Sequence, residues 1–330
     1  MQIAEFLPAE PNLLWEWMRQ IGVNYAVAPL PRHNVHPDQP WDYAPLERMV
    51  RTFENAGFQV AAIESAPPMQ KTRLGLPGRD EEIECFCTLV RNMGALHIPV
   101  LCYNWMAVFG WTRTHTDLRG RAGALVTGYD HKTFQQQPLT EFGEVPEEQL
   151  WQSLRYFLQR VLPVAEKQGV RLAMHPDDPP ISPVRGIARI MRSQENFQRL
   201  IDMAPSSSNG ITLCQGNFAL FCPSLPETIR HFGRQRVIHF VHMRDVQGTP
   251  ENFVEVFHNE GPTDLAECMR AYLDMDFRGP MRPDHVPTLA GDSNENPSYS
   301  ATARLHAVGY LQGLHDAVYG RSPRHRIEVL

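Results

Sequence analysis

The stretch Met281-Arg282-Pro283-Asp284-His285-Val286-Pro287 puts a carboxylate and an imidazole side by side at the end of a strand-like run after Gly279. Three other strand-like segments also end in a residue that can bind a metal ion. They are Arg171-Leu172-Ala173-Met174-His175, Ile211-Thr212-Leu213-Cys214 and Val237-Ile238-His239-Phe240-Val241-His242. A single Asp-His pair is most often a hydrogen-bonded surface pair. Four such endings in one chain need a common cause.

Strand-like and helix-like segments alternate along the whole chain, which is the pattern of a parallel sheet with helical crossovers. Strands are predicted near residues 2–7, 22–28, 58–64, 98–103, 170–175, 210–215, 237–243 and 279–285. Helices are predicted over residues 45–56, 80–95, 147–168, 263–275 and 300–318, from helical spacing, acidic starts and glycine ends. Eight strands favour a closed barrel over an open sheet. The predicted fold class is therefore α/β, a (β/α)8 TIM barrel.

The connection after the fourth strand breaks the regular alternation. About forty residues, from Trp105 to Pro146, separate this strand from the next helix and show little helical periodicity. Long loops in compact domains are usually functional or disordered, and the aromatic residues Trp111 and Tyr129 argue against disorder. We therefore expect a lid or an interface arm over about residues 105–146. No repeat or linker marks a boundary, so residues 1–330 are predicted to form one barrel domain.

Composition and charge narrow the class of protein. Of the 330 residues, 42% are hydrophobic and 21% are charged, as in an ordinary globular protein. A net charge of −6 gives no electrostatic reason to expect nucleic acid or an anionic membrane as a partner. No basic and apolar leader opens the chain, and no run reaches the ~18 apolar residues that span a bilayer. The expected location is cytoplasmic, and the six scattered cysteines are expected to be reduced thiols.

The four strand endings point to a metal site. In a barrel of this type the active site lies at the C-terminal ends of the strands, which is where His175, Cys214, His242 and Asp284 occur in strands five to eight. Taken singly, each has an ordinary structural explanation, such as a buried thiol or a core histidine. Together they favour a metal centre with open positions for water or substrate. By the general preferences of metal ions, two imidazoles, a thiolate and a carboxylate suit Zn²⁺ or Fe²⁺ better than Mn²⁺.

Groups suited to an anionic, polyhydroxy substrate surround this cluster. The arginines that suit a carboxylate are Arg73, Arg113, Arg244 and Arg282. The residues that suit hydroxyl groups are Tyr103, Asn104, Asp177, Asp178, Asn217, Glu64 and His258. Singly, each is more often solvated or structural. From these groups the predicted substrate-binding residues are Arg113, Asn104, His258, Arg282, Arg244 and Asp177.

Several long strings resemble the motifs of the mannonate dehydratase family. They are Tyr103-Asn104-Trp105-Met106-Ala107-Val108-Phe109-Gly110-Trp111-Thr112-Arg113-Thr114, His175-Pro176-Asp177-Asp178-Pro179-Pro180, Phe257-His258-Asn259-Glu260-Gly261 and Arg282-Pro283-Asp284-His285-Val286-Pro287. Ile63-Glu64-Ser65 followed by Leu74-Gly75-Leu76-Pro77-Gly78-Arg79-Asp80 is similar to the family as well. The resemblance runs from about residue 20 to about residue 320.

This resemblance implies a xylose-isomerase-like TIM barrel that uses Mn²⁺ or Fe²⁺ and assembles as a homodimer or a larger homo-oligomer. The family converts D-mannonate to 2-keto-3-deoxy-D-gluconate by loss of water. Its metal ligands correspond to His175, Cys214, His242 and Asp284. Its proton-transfer residues correspond to His285 and Tyr299, and Asp284 is a third candidate for these transfers. We therefore expect Mn²⁺ or Fe²⁺, as in the family, and not Zn²⁺, which the general ligand preferences favour.

Dehydration of a sugar acid needs these residue types. The proton next to a carboxylate is weakly acidic, so its removal needs a base within reach and a positive centre for the developing charge. A metal ion supplies that centre. Loss of the neighbouring hydroxyl group then needs a proton donor. The sequence does not assign base and acid among His285, Tyr299 and Asp284.

The chain also departs from the family pattern. Gly110 stands where the family usually has aspartate, Gln215 follows the predicted thiolate ligand in place of threonine, and the first strand, Ile3-Ala4-Glu5-Phe6, has an unusual sequence for the family. Dehydration of a different aldonic acid is therefore an alternative. A metal-dependent sugar isomerase or epimerase and a non-catalytic sugar-acid binding protein are two more. An isomerase often prefers a metal site rich in carboxylates, and a binding protein would not need Asp284, His285 and Tyr299 together.

Overall fold

A closed barrel of eight parallel strands forms the centre of the molecule in the computed structural model, which describes residues 1–31 and 38–320. The strands in these ranges are β1 (Gln2–Phe6), β2 (Tyr25–Ala28), β3 (Gln59–Glu64), β4 (Val100–Asn104), β5 (His115–Arg119), β6 (Leu125–Asp130), β7 (Arg171–His175), β8 (Asn209–Cys214), β9 (Ile238–Met243), β10 (Val246–Thr249), β11 (Asn252–Glu255) and β12 (Pro280–Pro283). Around the barrel the order is β1, β2, β3, β4, β7, β8, β9, β12 and back to β1. The predicted TIM barrel and its eight strands are confirmed.

Helices follow most of the barrel strands and surround the barrel, except that the short helix His131–Gln135 lies in the insertion and packs through Phe134 against the small second sheet. They are α1 (Leu13–Gln20), α2 (Tyr43–Asn55), α3 (Gln70–Leu74), α4 (Arg79–Ala95), α5 (His131–Gln135), α6 (Glu147–Gln168), α7 (Gln194–Met203), α8 (Gln215–Phe221), α9 (Leu225–Arg234), α10 (Leu265–Asp274) and α11 (Ala301–Tyr319). The five predicted helices correspond to α2, α4, α6, α10 and α11, and α1, α3, α5, α7, α8 and α9 were not predicted. None of the helices in the described ranges is long and apolar enough to cross a membrane.

The barrel interior is filled mainly by small side chains. One buried cluster takes residues from six of the eight strands: Ala4, Val27, Ala62, Val100, Cys102, Ala173 and Phe240. Parallel strands covered on both faces are nearly continuous apolar runs, and β8 and β9 are buried at every residue. This packing leaves the C-terminal ends of the strands as the place where polar side chains can reach a shared cavity.

The long insertion after β4 carries two strands that the sequence did not predict. Strands β5 and β6 form an antiparallel hairpin, and β6 pairs with β11 of a second hairpin that follows β9. The result is a four-stranded sheet in the order β10, β11, β6, β5. This sheet joins the loops after β4 and β9, so it brings residues of both loops together above the barrel. The predicted domain of residues 1–330 extends into 32–37 and 321–330, which lie outside the described residues.

Aromatic packing secures α6 to the barrel wall. Phe157 of α6 is fully buried, with ring centroids 4.9 Å from Phe86 of α4, 5.8 Å from Tyr103 of β4 and 5.2 Å from Trp105. The helix ends at Gly169, whose φ of 67° is a left-handed conformation that glycine adopts without strain. Tyr103 and Trp105 flank Asn104, so this cluster positions the end of β4 at the cavity.

Replacing Phe157 by alanine should destabilise the protein by about 3–5 kcal/mol, because it removes a fully buried ring and leaves a cavity. Urea unfolding followed by circular dichroism measures the loss. Leu13→Ala is the control, because its side chain is 56% exposed and its loss should change the free energy of unfolding by less than about 0.5 kcal/mol. Equal losses in the two variants contradict the packing role of Phe157.

Candidate active site

A cavity of about 460 Å³ opens at the C-terminal ends of the barrel strands. Of the predicted site residues, those that line it are Asn104, His175, His242, Asp284, His285 and Tyr299. The parallel register places Asn104 beside His175 and Cys214 beside His242. Because β4, β7, β8, β9 and β12 are neighbours in the barrel, their terminal side chains meet at one point.

Three of the four predicted metal ligands form a compact group. The ligand atoms of His175, Cys214 and His242 all lie within 4.8 Å of one another. The Nδ1 atom of His175 is 2.7 Å from the carbonyl oxygen of Pro176, so Nδ1–H donates there and Nε2 is left as the ligand atom. His242 is 1% exposed, and neither ring nitrogen makes a hydrogen bond, although Nε2 lies 3.3 Å from Glu64 Oε2. An unsatisfied buried imidazole between a second imidazole and a thiol fits a divalent metal ion.

A second group of possible ligands shares His242 with the first. It consists of Glu64, Cys102 and His242, again with ligand atoms within 4.8 Å of one another. Its thiol is less suited to a metal ion, and its carboxylate is paired with an arginine. Both carboxylate oxygens of Glu64 accept hydrogen bonds from Arg282, at 2.8 and 2.7 Å. Burial raises the pKa of the Cys102 thiol well above its ordinary value, whereas a metal ion binds the thiolate.

Asp284, the fourth predicted ligand, lies beside the group of His175, Cys214 and His242 and contacts two arginines. Its Oδ2 atom is 3.6 Å from Cys214 Sγ and 3.8 Å from His242 Nδ1. Arg244 Nε lies 2.9 Å from Oδ2, and Arg282 Nη2 lies 2.9 Å from Oδ1. Burial opposes ionisation of this carboxyl, but His285, the two arginines and His242 outweigh it and hold its pKa well below the ordinary range.

His285 is oriented by a carboxylate that the sequence reasoning missed. Its Nδ1 atom is 2.8 Å from Oε1 of Glu255, the last residue of β11. Burial would raise the pKa of Glu255, but His285, Arg113 and Arg244 lower it to about 2, so the carboxylate is ionised at neutral pH. An ionised carboxylate only accepts hydrogen bonds. The proton of the neutral ring therefore lies on Nδ1, and Nε2 carries the free lone pair.

Two aromatic side chains enclose His285 within the cavity. The Tyr299 ring is tilted 74° to the imidazole at a centroid distance of 5.5 Å, and the Trp111 ring of the insertion lies at 5.3 Å. Burial is the largest of the influences that raise the pKa of Tyr299 well above its ordinary value. Tyr299 is therefore a neutral phenol at physiological pH, with a proton to donate.

Three of the arginines predicted to bind substrate are engaged in a buried charge network. Arg113 of the insertion contacts both Asp178 oxygens, at 2.5 and 3.1 Å, and also contacts Glu255. Arg244 contacts Asp178 at 2.7 Å and Glu255 at 2.8 Å, in addition to Asp284. Arg282 contacts Glu64 and Asp284. The three side chains are each 1% exposed and do not line the cavity.

Two further residues predicted to bind substrate lie away from the cavity wall. Asp177 is fully buried and contacts Arg189 at 3.3 Å, and it accepts a 2.7 Å hydrogen bond from the Met191 amide. His258 is 2% exposed, with Nε2 at 2.7 Å from the Met243 carbonyl oxygen. Burial lowers the pKa of His258 to about 4. These contacts secure loops beside the site.

Comparisons with known proteins give one consistent result. The family model for D-mannonate dehydratase matches residues 9–143 and 135–324. Mannonate dehydratase 2 of Halalkalibacterium halodurans is 34% identical over 306 residues, which cover 84% of this chain and 88% of that protein. The mannonate dehydratase of Thermotoga neapolitana is 34% identical over 339 residues, which cover 92% of this chain and 93% of that protein.

Solved structures agree with this relationship. The crystal structure of mannonate dehydratase from Streptococcus suis serotype 2 superposes with a TM-score of 0.87 at 30% identity, over 99% of this chain and 97% of that chain. An L-ribulose 3-epimerase has a TM-score of 0.61 at 13% identity, over 94% of this chain and 92% of that chain. At that identity the second similarity shows a common barrel fold and nothing about the reaction.

Acid should weaken the network through Glu255. Its lowered pKa means that the ionised carboxylate stabilises the folded state above the unfolded pKa of about 4.3. This contribution is lost as the pH falls through the folded value of about 2. We expect the free energy of unfolding to fall between about pH 4.5 and pH 3, and to fall less steeply in Glu255→Gln. Urea unfolding at several pH values measures both slopes.

The matched control for this experiment is Glu227→Gln, because Glu227 is a glutamate whose side chain is 68% exposed in a surface ion pair. This variant should keep the wild-type slope. A slope in Glu255→Gln as steep as that of the wild type contradicts the assigned role of the Glu255 carboxylate.

Proposed function

The chain belongs to the D-mannonate dehydratase family, and from this premise we propose that it converts D-mannonate to 2-keto-3-deoxy-D-gluconate and water. The family places it among the lyases that dehydrate sugar acids. The observation that carries the proposal is the compact group of His175, Cys214 and His242, whose ligand atoms all lie within 4.8 Å of one another. The proposed proton carriers His285 and Tyr299 line the same cavity.

The proposed metal is Mn²⁺ or Fe²⁺, held by His175, Cys214, His242 and Asp284. The family depends on a metal ion, and the chain has a group of residues that fits one. When bound, a divalent ion supplies positive charge for the anion that forms as the proton next to the carboxylate is removed. Arg244 Nε lies 3.4 Å from Cys214 Sγ and contacts Asp284 Oδ2 at 2.9 Å, so one guanidinium group positions two of the proposed ligands.

The two proton transfers are proposed to fall to different residues. His285 acts as the base, because Glu255 holds the proton on Nδ1 and leaves Nε2 with a lone pair. Tyr299 acts as the acid that protonates the departing hydroxyl group, because its phenol is neutral at physiological pH. The pKa of Asp284 lies well below the ordinary range, and its Oδ2 atom lies 3.6 Å from Cys214 Sγ and 3.8 Å from His242 Nδ1, so we assign it to metal binding and not to proton transfer.

The departures from the family pattern lie outside the cavity lining, which supports mannonate over another aldonic acid. Gly110 is exposed, and a Cβ atom added there would have no atom within 4 Å. Gln215 is buried at the start of α8 and lies 3.4 Å from the Tyr272 hydroxyl group. Glu5 of the first strand pairs with Arg304 at 2.9 Å. None of the three lines the cavity.

We propose that the insertion, residues 105–146, closes over its own active site. Trp111 lines the cavity, and its ring makes a T-shaped contact with the His285 ring. Arg113, also of the insertion, forms a buried ion pair with Asp178. Assembly as a homodimer or a larger oligomer, one domain over residues 1–330 and a cytoplasmic location stay predictions.

The direct test is an assay of aldonic acids with metal added back to a chelated sample. Formation of a 2-keto acid from D-mannonate, detected with thiobarbituric acid and dependent on Mn²⁺ or Fe²⁺, is the expected result. Turnover of a different aldonate identifies another substrate for the same reaction. Metal-dependent isomerisation or epimerisation without keto acid, or binding of aldonates without turnover, contradicts the proposed reaction.

Replacing His285 by asparagine should lower kcat about 10²–10⁴-fold, because the base is lost, while the metal content stays at the wild-type level. Steady-state assays and elemental analysis of the same sample measure the two quantities. His306→Asn is the control, since His306 is exposed and does not line the cavity. Full activity in His285→Asn rules out its role as the base.

Cysteine substitutions separate the two groups of possible ligands. Cys214→Ser should weaken metal binding by at least about 100-fold, because even partners of metal ligands contribute 10–100-fold. Cys102→Ser should retain the metal ion. Equilibrium dialysis with Mn²⁺ measures both affinities. Loss of metal in Cys102→Ser with retention in Cys214→Ser places the ion in the group of Glu64, Cys102 and His242 instead.

A further inference from the structure

Arg73 differs from the other arginines near the active site because it lines the cavity. It lies in α3, and its side chain reaches over the end of β4. Nε and Nη2 donate to the carbonyl oxygen of Asn104 at 3.3 and 3.0 Å, and Nη2 donates to Asn104 Oδ1 at 3.0 Å. These hydrogen bonds fix the plane of the guanidinium group. Nη1 makes no hydrogen bond to any part of the chain that the structure describes.

The carboxylates at the cavity already have positive partners. Glu64, Asp178 and Asp284 line the cavity, and each is paired with one or two of Arg113, Arg244 and Arg282. Within residues 1–31 and 38–320, Arg73 has no carboxylate within 4.0 Å. Its positive charge therefore has no ion-pair partner within these ranges, although the Glu82 and Asp177 carboxylates act on it from beyond this distance.

An unpaired guanidinium in a partly buried site is unfavourable unless a ligand supplies the opposite charge. Burial and the nearby Arg189 lower the pKa of Arg73 to about 10, against the opposing influence of the Glu82 and Asp177 carboxylates. The side chain therefore remains protonated at neutral pH. Arginine binds carboxylates with planar, charge-assisted hydrogen bonds, and the free Nη1 atom is available for one.

We propose that Arg73 is the residue that binds the carboxylate of the substrate, an inference that rests on the proposed sugar-acid dehydratase function. Asn104 supports this role in two ways. Its Oδ1 atom orients Arg73, and its Nδ2 atom makes no hydrogen bond to the described residues, so Nδ2 is available to a substrate hydroxyl group. Asn104 is paired in register with His175, which places this anion site one strand from the metal group.

A purely structural role for Arg73, as a donor to the end of β4, predicts a different result. Loss of that support would disturb the binding of every ligand in the cavity. A carboxylate-binding role affects anionic ligands and spares neutral polyols of similar size. The comparison of D-gluconate with the neutral polyol D-mannitol separates the two roles.

The experiment uses the full chain with Mn²⁺ added and the variants Arg73→Met, Arg73→Lys and Lys71→Met. Lys71 is the matched control, because it is an exposed cation of the same helix that does not line the cavity. Inhibition constants for D-gluconate and D-mannitol, with calorimetric titration of both ligands, measure binding. KM and kcat for D-mannonate complete the comparison.

We expect Arg73→Met to raise KM for D-mannonate and to weaken D-gluconate binding by about 10–100-fold, the range for a hydrogen bond between charged groups. D-mannitol binding should not change, Arg73→Lys should be intermediate, and Lys71→Met should behave as the wild type. Unchanged D-gluconate binding in Arg73→Met, equal loss of both ligands, or no D-gluconate binding by the wild type each overturns the assignment. A wild type that binds D-gluconate but forms no keto acid from D-mannonate contradicts the proposed function and not the role of Arg73.

Discussion

The buried charge network above the barrel is the constraint on which the rest of the site depends. It consists of Arg113, Arg244, Arg282, Glu64, Asp178, Glu255 and Asp284. Buried charges are tolerated only when they are paired and hydrogen-bonded, so each loop that contributes one must be placed by the others. The four-stranded sheet meets this requirement, because it brings Arg113 of the insertion and Glu255 of β11 to one place.

The barrel was predictable because its strands carry their own signal. Strands β8 and β9 are mainly apolar and are buried at every residue, and this burial is what a parallel sheet covered by helices requires. Strand β5 has no such signal, since four of its five residues, including His115 and Arg119, are exposed. It is a strand because β6 pairs with it, and this partner is not visible in local sequence. The short α3, α5 and α8 span too few residues for apolar side chains to repeat at helical spacing. The longer α9 does show this spacing, in Leu225, Ile229 and Phe232.

The active site also has a part that could be predicted from the sequence and a part that could not. The convergence of His175, Cys214, His242 and Asp284 could be predicted because each lies at or next to the C-terminal end of a barrel strand, and strand order alone brings such ends together. The roles of the arginines could not be predicted. Whether a guanidinium group binds a substrate or a carboxylate of the protein depends on contacts between residues far apart in sequence. Arg113 and Asp178 are 65 positions apart, and Arg282 and Glu64 are 218 positions apart. Glu255 was missed for the same reason, since only the sheet places it beside His285.

Preorganisation follows from this arrangement. A reactive site works when its groups are held in place before substrate arrives. Here residues on the side away from the cavity hold them. Arg244 contacts Cys214, Asp284 and Glu255, and Glu255 in turn orients His285. One side chain thus positions two of the proposed metal ligands and, through Glu255, the proposed base. The metal group and the proton carrier are therefore coupled, and substitutions at Arg244 cannot be interpreted as affecting one of them alone.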